Sequence, residues 1–340
     1  MRISAVIPSY NSEKTIRPCL EAIFNSDYKD FEVIFVNDAS IDKSAEIAKL
    51  FPCKVIYNKT NLGKAASKNI GLGYAVAQTV VFIDSDVIIE KNTLQSIADV
   101  FKNNPALAAV MGMPTSQNPY LNFTSQYKTI YMSYIFSRMP RAADFLHGSI
   151  QAFNRDMVFK KYSLLFDERL YCDDIEMGVK IKEKGGDILL SQDIHFTHMK
   201  SYTLRSLLKN DYRTASGFAR ILLRYKLLKR SLRNRRFAHT SLLQALAVAN
   251  SFLIAMMLLG ILLTGNPRIY GLAILLFFLH FVLSLKFYRF IYQKKGLIFT
   301  AISTFFNPAD QFVMFLGMIC GAIAHVKNFL KNLPKQHNFY

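Results

Sequence analysis

The sequence predicts an α/β domain with a mostly parallel sheet, followed by a helical membrane segment. Three observations carry this expectation. Over residues 1–115, short and wholly apolar runs alternate with amphipathic stretches. Polar residues recur where the apolar runs stop. Beyond residue 240 come long stretches with almost no charge. Fully apolar strands alternating with amphipathic helices are the pattern of a sheet covered on both faces.

Taken in order, "ISAVIPS" reads as a buried strand and "SEKTIRPCLEAIFNS" as a helix. "FEVIFVND" is a second strand, "DKSAEIAKLF" a helix and "CKVIYN" a third strand. "GKAASKNIGLGYAVAQ" reads as a helix despite its glycines, and "TVVFIDSD" as a fourth strand. "KNTLQSIADVFKN" is a helix and "ALAAVMG" a strand. The stretch Tyr120 to Arg141 is rich in Tyr, Phe and Met; it fits a core helix and an interfacial amphipathic helix equally well.

The later segments read differently. "LLQALAVANSFLIAMMLLGILL" matches the roughly 20 residues that cross a bilayer. "IYGLAILLFFLHFVLSL" is a shorter second candidate containing His280. "NPADQFVMFLGMICGAIAHV" is a third, with Asn307 as helix cap, Pro308 at the first helical position and Asp310 soon after. The expected layout is an α/β domain at 1–200, basic juxtamembrane helices at 201–240 and a transmembrane domain at 241–330. Its spans fall at about 242–263, 269–285 and 308–326.

The formal net charge of +18 calls for an anionic partner. The charge is local: eleven Lys or Arg and one acid, Asp211, lie between Arg205 and Arg236, just before the first apolar segment. That position favours membrane headgroups and a cytoplasmic flank over nucleic acid. Arg205 and Arg213 are candidates for pairing with phosphate. Lys327, Lys331 and Lys335 fit less well, since three spans would put them outside. A re-entrant pair at 297–306 and 308–326 would return them. The N-terminus lacks the pattern of a signal peptide. The four cysteines have no metal or redox spacing, so reduced cytosolic thiols are expected.

In parallel sheets ligands sit beyond the carboxyl ends of the strands. Pro8–Asn11, Asn37–Asp38 and Asp84–Asp86 all fall there. Two carboxylates one residue apart at a strand end can hold a divalent cation through oxygen, and such a cation usually also binds phosphates. No G-x-G-x-x-G follows the first strand and no P-loop occurs anywhere, so neither a dinucleotide fold nor a P-loop enzyme is indicated.

"VIPSYN", "VNDASID", "NLGKAASKNIG", "FIDSD" and "CDDIEMGVKIKEKGG" resemble, in order and spacing, the motifs of family 2 inverting glycosyltransferases of the A-type, nucleotide-diphospho-sugar transferase fold. The resemblance covers Ile3 to Lys200. "IHFTHMKSYTLRSLLKND" looks like the membrane-anchored branch, where C-terminal spans follow the catalytic domain. The resemblance implies that Pro8, Tyr10 and Glu13 line the nucleotide base, and that Asp38 contacts base or ribose. It places Lys64 and Asn69 in a segment closing over the nucleotide. It has Asp84 face ribose or sugar, while Asp86 holds Mg²⁺ or Mn²⁺ with His198 beside the diphosphate. Asp174 is the implied catalytic base. Asp173 stands where the family has Glu and is a second candidate.

The sequence has no Trp, so the Q-x-x-R-W motif of processive synthases is absent and transfer of a single sugar is expected. The resulting expectation is a multi-pass enzyme of the cell (inner or plasma) membrane with a cytoplasmic catalytic domain. It would move a sugar from a nucleotide-sugar to a lipid or polyprenyl-phosphate-linked acceptor. The alternatives are a nucleotidyl or phosphate-sugar transferase on a similar fold, and a non-catalytic membrane protein keeping a nucleotide-binding domain.

Overall fold

The computed structural model describes residues 1–266 and 268–331. Lys335 lies outside the described residues. The chain divides into two compact units, Met1–Tyr202 and Thr203–Tyr340.

The first unit is built on one nine-stranded sheet. Its elements run β1 (Ile3–Ser9), α1 (Ile16–Phe24), β2 (Phe31–Asn37), α2 (Ser44–Ala48), β3 (Lys54–Tyr57), α3 (Lys64–Tyr74) and β4 (Thr79–Ile83). There follow β5 (Val87–Ile89), α4 (Thr93–Asn103), β6 (Leu107–Pro114), α5 (Phe123–Ser137), β7 (Ala142–Ala143) and β8 (Ile150–Asn154). After a π-helical turn at Asp156–Lys161 come α6 (Asp173–Glu183) and β9 (Asp187–His198). The strand order is β3-β2-β1-β4-β8-β6-β9-β5, with β7 also paired to β9. The first four strands are parallel. β8 runs antiparallel between β4 and β6, and β9 is parallel to β6.

Every residue of β1 and β4 is buried, as apolar runs in a two-faced sheet require. Successive side chains alternate faces. Ile3, Ala5 and Ile7 join the core formed with Ile16 and Leu20 of α1 and Leu94 and Ile97 of α4. Val6 faces the other way, onto α3. A Cβ added to Gly71 would lie 2.3 Å from a methyl of Val6 and 3.0 Å from one of Val36. Gly71, a poor helix former, is therefore what lets α3 come close to the sheet. The Tyr120–Arg141 stretch forms α5, which packs on β6 with Tyr127, Ile130, Tyr131 and Phe136 buried. Of its two readings, this is the core helix.

In the second unit, α7 (Leu204–Arg224) begins with a capping box between Thr203 and Ser206. α8 (Leu228–Arg233) is short and exposed. α9 (Leu242–Thr264) begins with a capping box between Ser241 and Gln244 and ends at Gly265 in the left-handed conformation. α10 spans Arg268–Lys331, broken by the non-helical Gly296 (φ 75°). Among the described residues, two helices are long and apolar enough to cross a membrane, Leu242–Thr264 with mean hydropathy 2.4 and Ile269–Lys327 with 2.0.

Here the structure corrects the sequence reading. No helix starts at Asn307 and Pro308; both lie inside α10, and the break falls at Gly296. Asn307 is not a cap. Its side-chain amide donates to Ser284 Oγ (3.3 Å) and Tyr288 Oη (3.1 Å) and lies 3.3 Å from His280 Nε2, tying the two legs of α10 together. The cap signal was real chemistry, since Asn does hydrogen-bond backbone at helix starts, but a buried side-chain network took its place.

Candidate functional site

Because β1, β2 and β4 are parallel, their carboxyl ends share one rim. Asp38 follows β2, and its N–H donates to Ser9 O at the end of β1 (2.8 Å). Its buried carboxylate accepts from Asn58 Nδ2 (2.7 Å), Leu62 N (2.9 Å) and Gly63 N (2.8 Å). Asp38 thus fixes the loop that delivers α3. Pro8 is buried within β1, opposite Val36. Tyr10 is 51% exposed on the rim. Glu13 is exposed beside the loop after β2, where its N–H donates to Asp42 Oδ2 (2.9 Å). Asn69 holds a different loop: its Nδ2 donates to Phe166 O (3.0 Å) and Glu168 Oε1 (3.1 Å), and its Oδ1 accepts from Phe166 N (3.1 Å).

Asp84 and Asp86 meet His198 because β5 pairs antiparallel with the end of β9, with Val87 opposite His198. Met199 N donates to Asp86 O (2.7 Å), closing that corner. His198 Nε2 lies 3.1 Å from Asp86 Oδ1. One potential ligand atom from each of Asp84, Asp86 and His198 lies within 4.8 Å of the others. These residues fit a divalent cation. His198 Nε2 is buried and, despite its closeness to Asp86, makes no hydrogen bond of acceptable geometry. Two carboxylates with one imidazole suit a Mg²⁺- or Mn²⁺-type ion. Burial favours the protonated form of Asp86, but His198, Lys200 and Lys64 outweigh it and hold its pKa well below the usual carboxylate range. Asp84, expected to face the sugar, belongs to the same three-residue group.

Lys64, the first residue of α3, places Nζ 2.7 and 2.8 Å from the two carboxylate oxygens of Asp84. Burial lowers its pKa, but Asp84, Asp173 and Asp174 outweigh that and keep it above the ordinary lysine value. One turn on, Lys68 is wholly buried, paired with Asp173 Oδ2 at 2.8 Å and 4.4 Å from the centre of the Phe166 ring.

The two acids opening α6 therefore differ. Asp173 is buried and locked to Lys68. Asp174 is partly exposed, with Oδ1 accepting from Ile175 N (2.9 Å). Its other oxygen faces Gly148, where an added Cβ would lie 2.8 Å from Asp174 Oδ2 and 3.1 Å from Lys64 Nζ. Burial and then the neighbouring Asp173 push the Asp174 pKa up to about 6, against the pull of Lys68 and Lys64. A carboxylate poised there can take a proton near neutral pH.

Two residues of this arrangement escaped the sequence reading. Lys68 sits four positions after Lys64 in "KAASK", and that helical spacing was its only signal. Gly148 in "LHGSI" had none, because what matters is the side chain it lacks.

The mostly parallel α/β sheet with acids at its rim has the fold of the A-type glycosyltransferases. Residues 4–160 match the model of the family described as Glycosyl transferase family 2. It is 28% identical over 231 residues to a poly-β-1,6-N-acetyl-D-glucosamine synthase of Staphylococcus epidermidis. That match covers 65% of this chain and 56% of the synthase, so the chain spans about half the length of that relative. Over 100 residues it is 36% identical to a glycosyltransferase, GlyA, of Streptococcus pneumoniae serotype 4, covering 28% of this chain and 14% of that one. Among solved structures, a mannosyltransferase from Pyrobaculum calidifontis, in complex with GDP-Man and Mn²⁺, superposes with a TM-score of 0.58. The match covers 96% of this chain and 87% of that one at 17% identity, a likeness of fold.

Proposed function

We propose that this chain transfers a sugar from a nucleotide-sugar to an acceptor at a membrane surface, with inversion. The observation that carries this reading is the placing of Asp174. Its carboxylate is partly exposed, raised in pKa and directed at Gly148 and Lys64, whose ammonium rests on Asp84.

In this mechanism an acceptor hydroxyl loses its proton to Asp174. Its oxygen attacks the anomeric carbon from the face opposite the diphosphate. The bond from that carbon to the diphosphate oxygen breaks, and the electron pair leaves with the nucleoside diphosphate. Asp84, Asp86 and His198 are the residues that would hold a divalent cation, which when bound offsets the charge of the leaving diphosphate. Asp38 and Asn69 position the loops around the donor. Asp173, held by Lys68, orients the start of α6, while burial first and the charge of Asp173 second keep Asp174 above the ordinary aspartate range.

A lipid or lipid-linked acceptor is favoured by the two long apolar helices and the basic stretch that precedes them. With nucleotide-sugars on the cytoplasmic side, the catalytic unit faces the cytoplasm and the basic flank agrees with that orientation. The likeness to a polymer-forming synthase supports a second reading, repeated addition to one chain. The absence of Trp, and with it Q-x-x-R-W, favours a single addition.

The test is to incubate the purified full chain with a panel of nucleotide-sugars and a lipid acceptor, measure which nucleotide is released, and weigh the product by mass spectrometry. One added sugar supports single transfer and a ladder supports the polymerising reading. Release of no nucleotide from any donor contradicts both.

A further inference from the structure

Two lysines one turn apart on α3 treat two aspartates in opposite ways. Lys68 is fully buried, its partner Asp173 is nearly so, and the pair is capped by the Phe166 ring. The Lys68 side chain has no solvent-exposed surface. The Lys64 side chain is 42% exposed, yet its ammonium occupies both oxygens of Asp84, at 2.7 and 2.8 Å. Asp84 is also one of the three residues whose ligand atoms cluster within 4.8 Å. The same group is thus claimed by an internal cation and offered to an external one.

We propose that Lys64 is an exchangeable internal cation. In the donor-free protein it holds Asp84 and keeps free divalent ions out. It transfers to the diphosphate when donor and metal arrive together. The inference rests on the proposed reading of Asp84, Asp86 and His198 as a cation site, and it deepens that reading by setting the order in which the site is filled.

The physical basis is charge balance. Asp84 and Asp86 share one group of ligand atoms, and Lys64, seated on Asp84, borders Gly148 together with Asp174. A divalent ion entering alone would meet an ammonium already seated on one ligand, and like charges that close repel strongly. A nucleoside diphosphate brings several negative charges of its own. It offers the ammonium a new partner at the N-terminal end of α3, where backbone N–H groups also favour phosphate. Lys64 can follow because a solvent-reaching lysine is a point charge on a flexible stem. Lys68, encased by aromatic rings, cannot. Lys64 is accordingly a positioning residue: it acts on the reaction through Asp84 and the diphosphate.

Mn²⁺ binding to the full chain, followed by the loss of the free-ion signal in electron paramagnetic resonance, tests this without turnover. The probes are Mn²⁺ alone, and Mn²⁺ with UDP or GDP. The wild type is expected to bind Mn²⁺ weakly alone and much more tightly with a nucleoside diphosphate. Lys64→Met is expected to bind Mn²⁺ alone about tenfold more tightly, or more, while its binding in the presence of the nucleotide weakens. Lys64→Arg, which keeps the charge, is expected to bind Mn²⁺ alone as weakly as the wild type. Unchanged or weaker binding of Mn²⁺ alone by Lys64→Met overturns the inference and leaves the cation site standing. So does tight binding of Mn²⁺ alone by the wild type. A wild type that takes no Mn²⁺ with either nucleotide overturns both.

Discussion

Asp173 and Asp174, adjacent at the start of α6, sit in opposite surroundings. The Asp173 carboxylate meets a buried ammonium, while Asp174 keeps a raised pKa and a route to solvent. The proton acceptor must be ionised, so turnover is expected to fall as pH drops through about 6, with a limb of slope one in the pH–rate profile. A profile flat down to pH 4.5 would remove Asp174 from that role. Stability shifts in the same window with the opposite sign. The folded pKa lies above the unfolded one, so the native state binds more protons between the two values. The stabilising contribution is present at low pH and is lost as pH rises through about 6. The buried pair predicts a larger effect. Lys68→Met leaves Asp173 uncompensated and is expected to destabilise the chain by about 3–5 kcal/mol, read as a fall in melting temperature. An unchanged melting temperature would show that Lys68 and Asp173 do not form the pair.

Among the elements, α3 depends on glycine at a point of contact. Gly71 lies against Val6 and Val36 too closely for any Cβ. Gly71→Ala should therefore cost about 1–3 kcal/mol through overpacking, although alanine is the better helix former. A stabilising Gly71→Ala would mean that α3 does not sit as close to the sheet as its glycine allows. The alternation of β1 to β4 and β6 with α1 to α4 was legible in the sequence because apolar runs and amphipathic stretches follow different periods, whereas the short β5 was not read as a strand. The antiparallel insertion of β8 between β4 and β6 was not. Pairing partners depend on contacts distant in sequence, and "IQAFN" carries no local sign of its neighbours. α10 shows the opposite failure. Asn307 and Pro308 carry a strong local start signal, and buried hydrogen bonds to Ser284 and Tyr288 override it. In the candidate site, Asp84, Asp86 and Asp174 were legible as acids at element ends. The occupation of Asp38 and Asn69 by loop backbone was not, because the loops that claim them lie 20 or more residues away.

At the scale of the whole molecule, the chain joins a sheet-based unit to one rich in long apolar helices. Full-length protein is expected to stay with membranes after an alkaline carbonate wash, as integral helices do. Release into the wash would contradict the spanning reading of α9 and α10. The charge distribution agrees with a surface role for the basic stretch, whose cations at Arg205, Lys209, Arg220 and Lys229 are exposed. The chemistry, however, is assigned to the first unit, and there one side chain decides it. The most direct measurement is single-turnover sugar transfer by the full chain carrying Asp174→Asn, with nucleotide binding measured on the same preparation. Transfer should fall by about 10²- to 10⁴-fold while the nucleotide still binds as it does to the wild type. Transfer at the wild-type rate would contradict the assignment of Asp174 as the base.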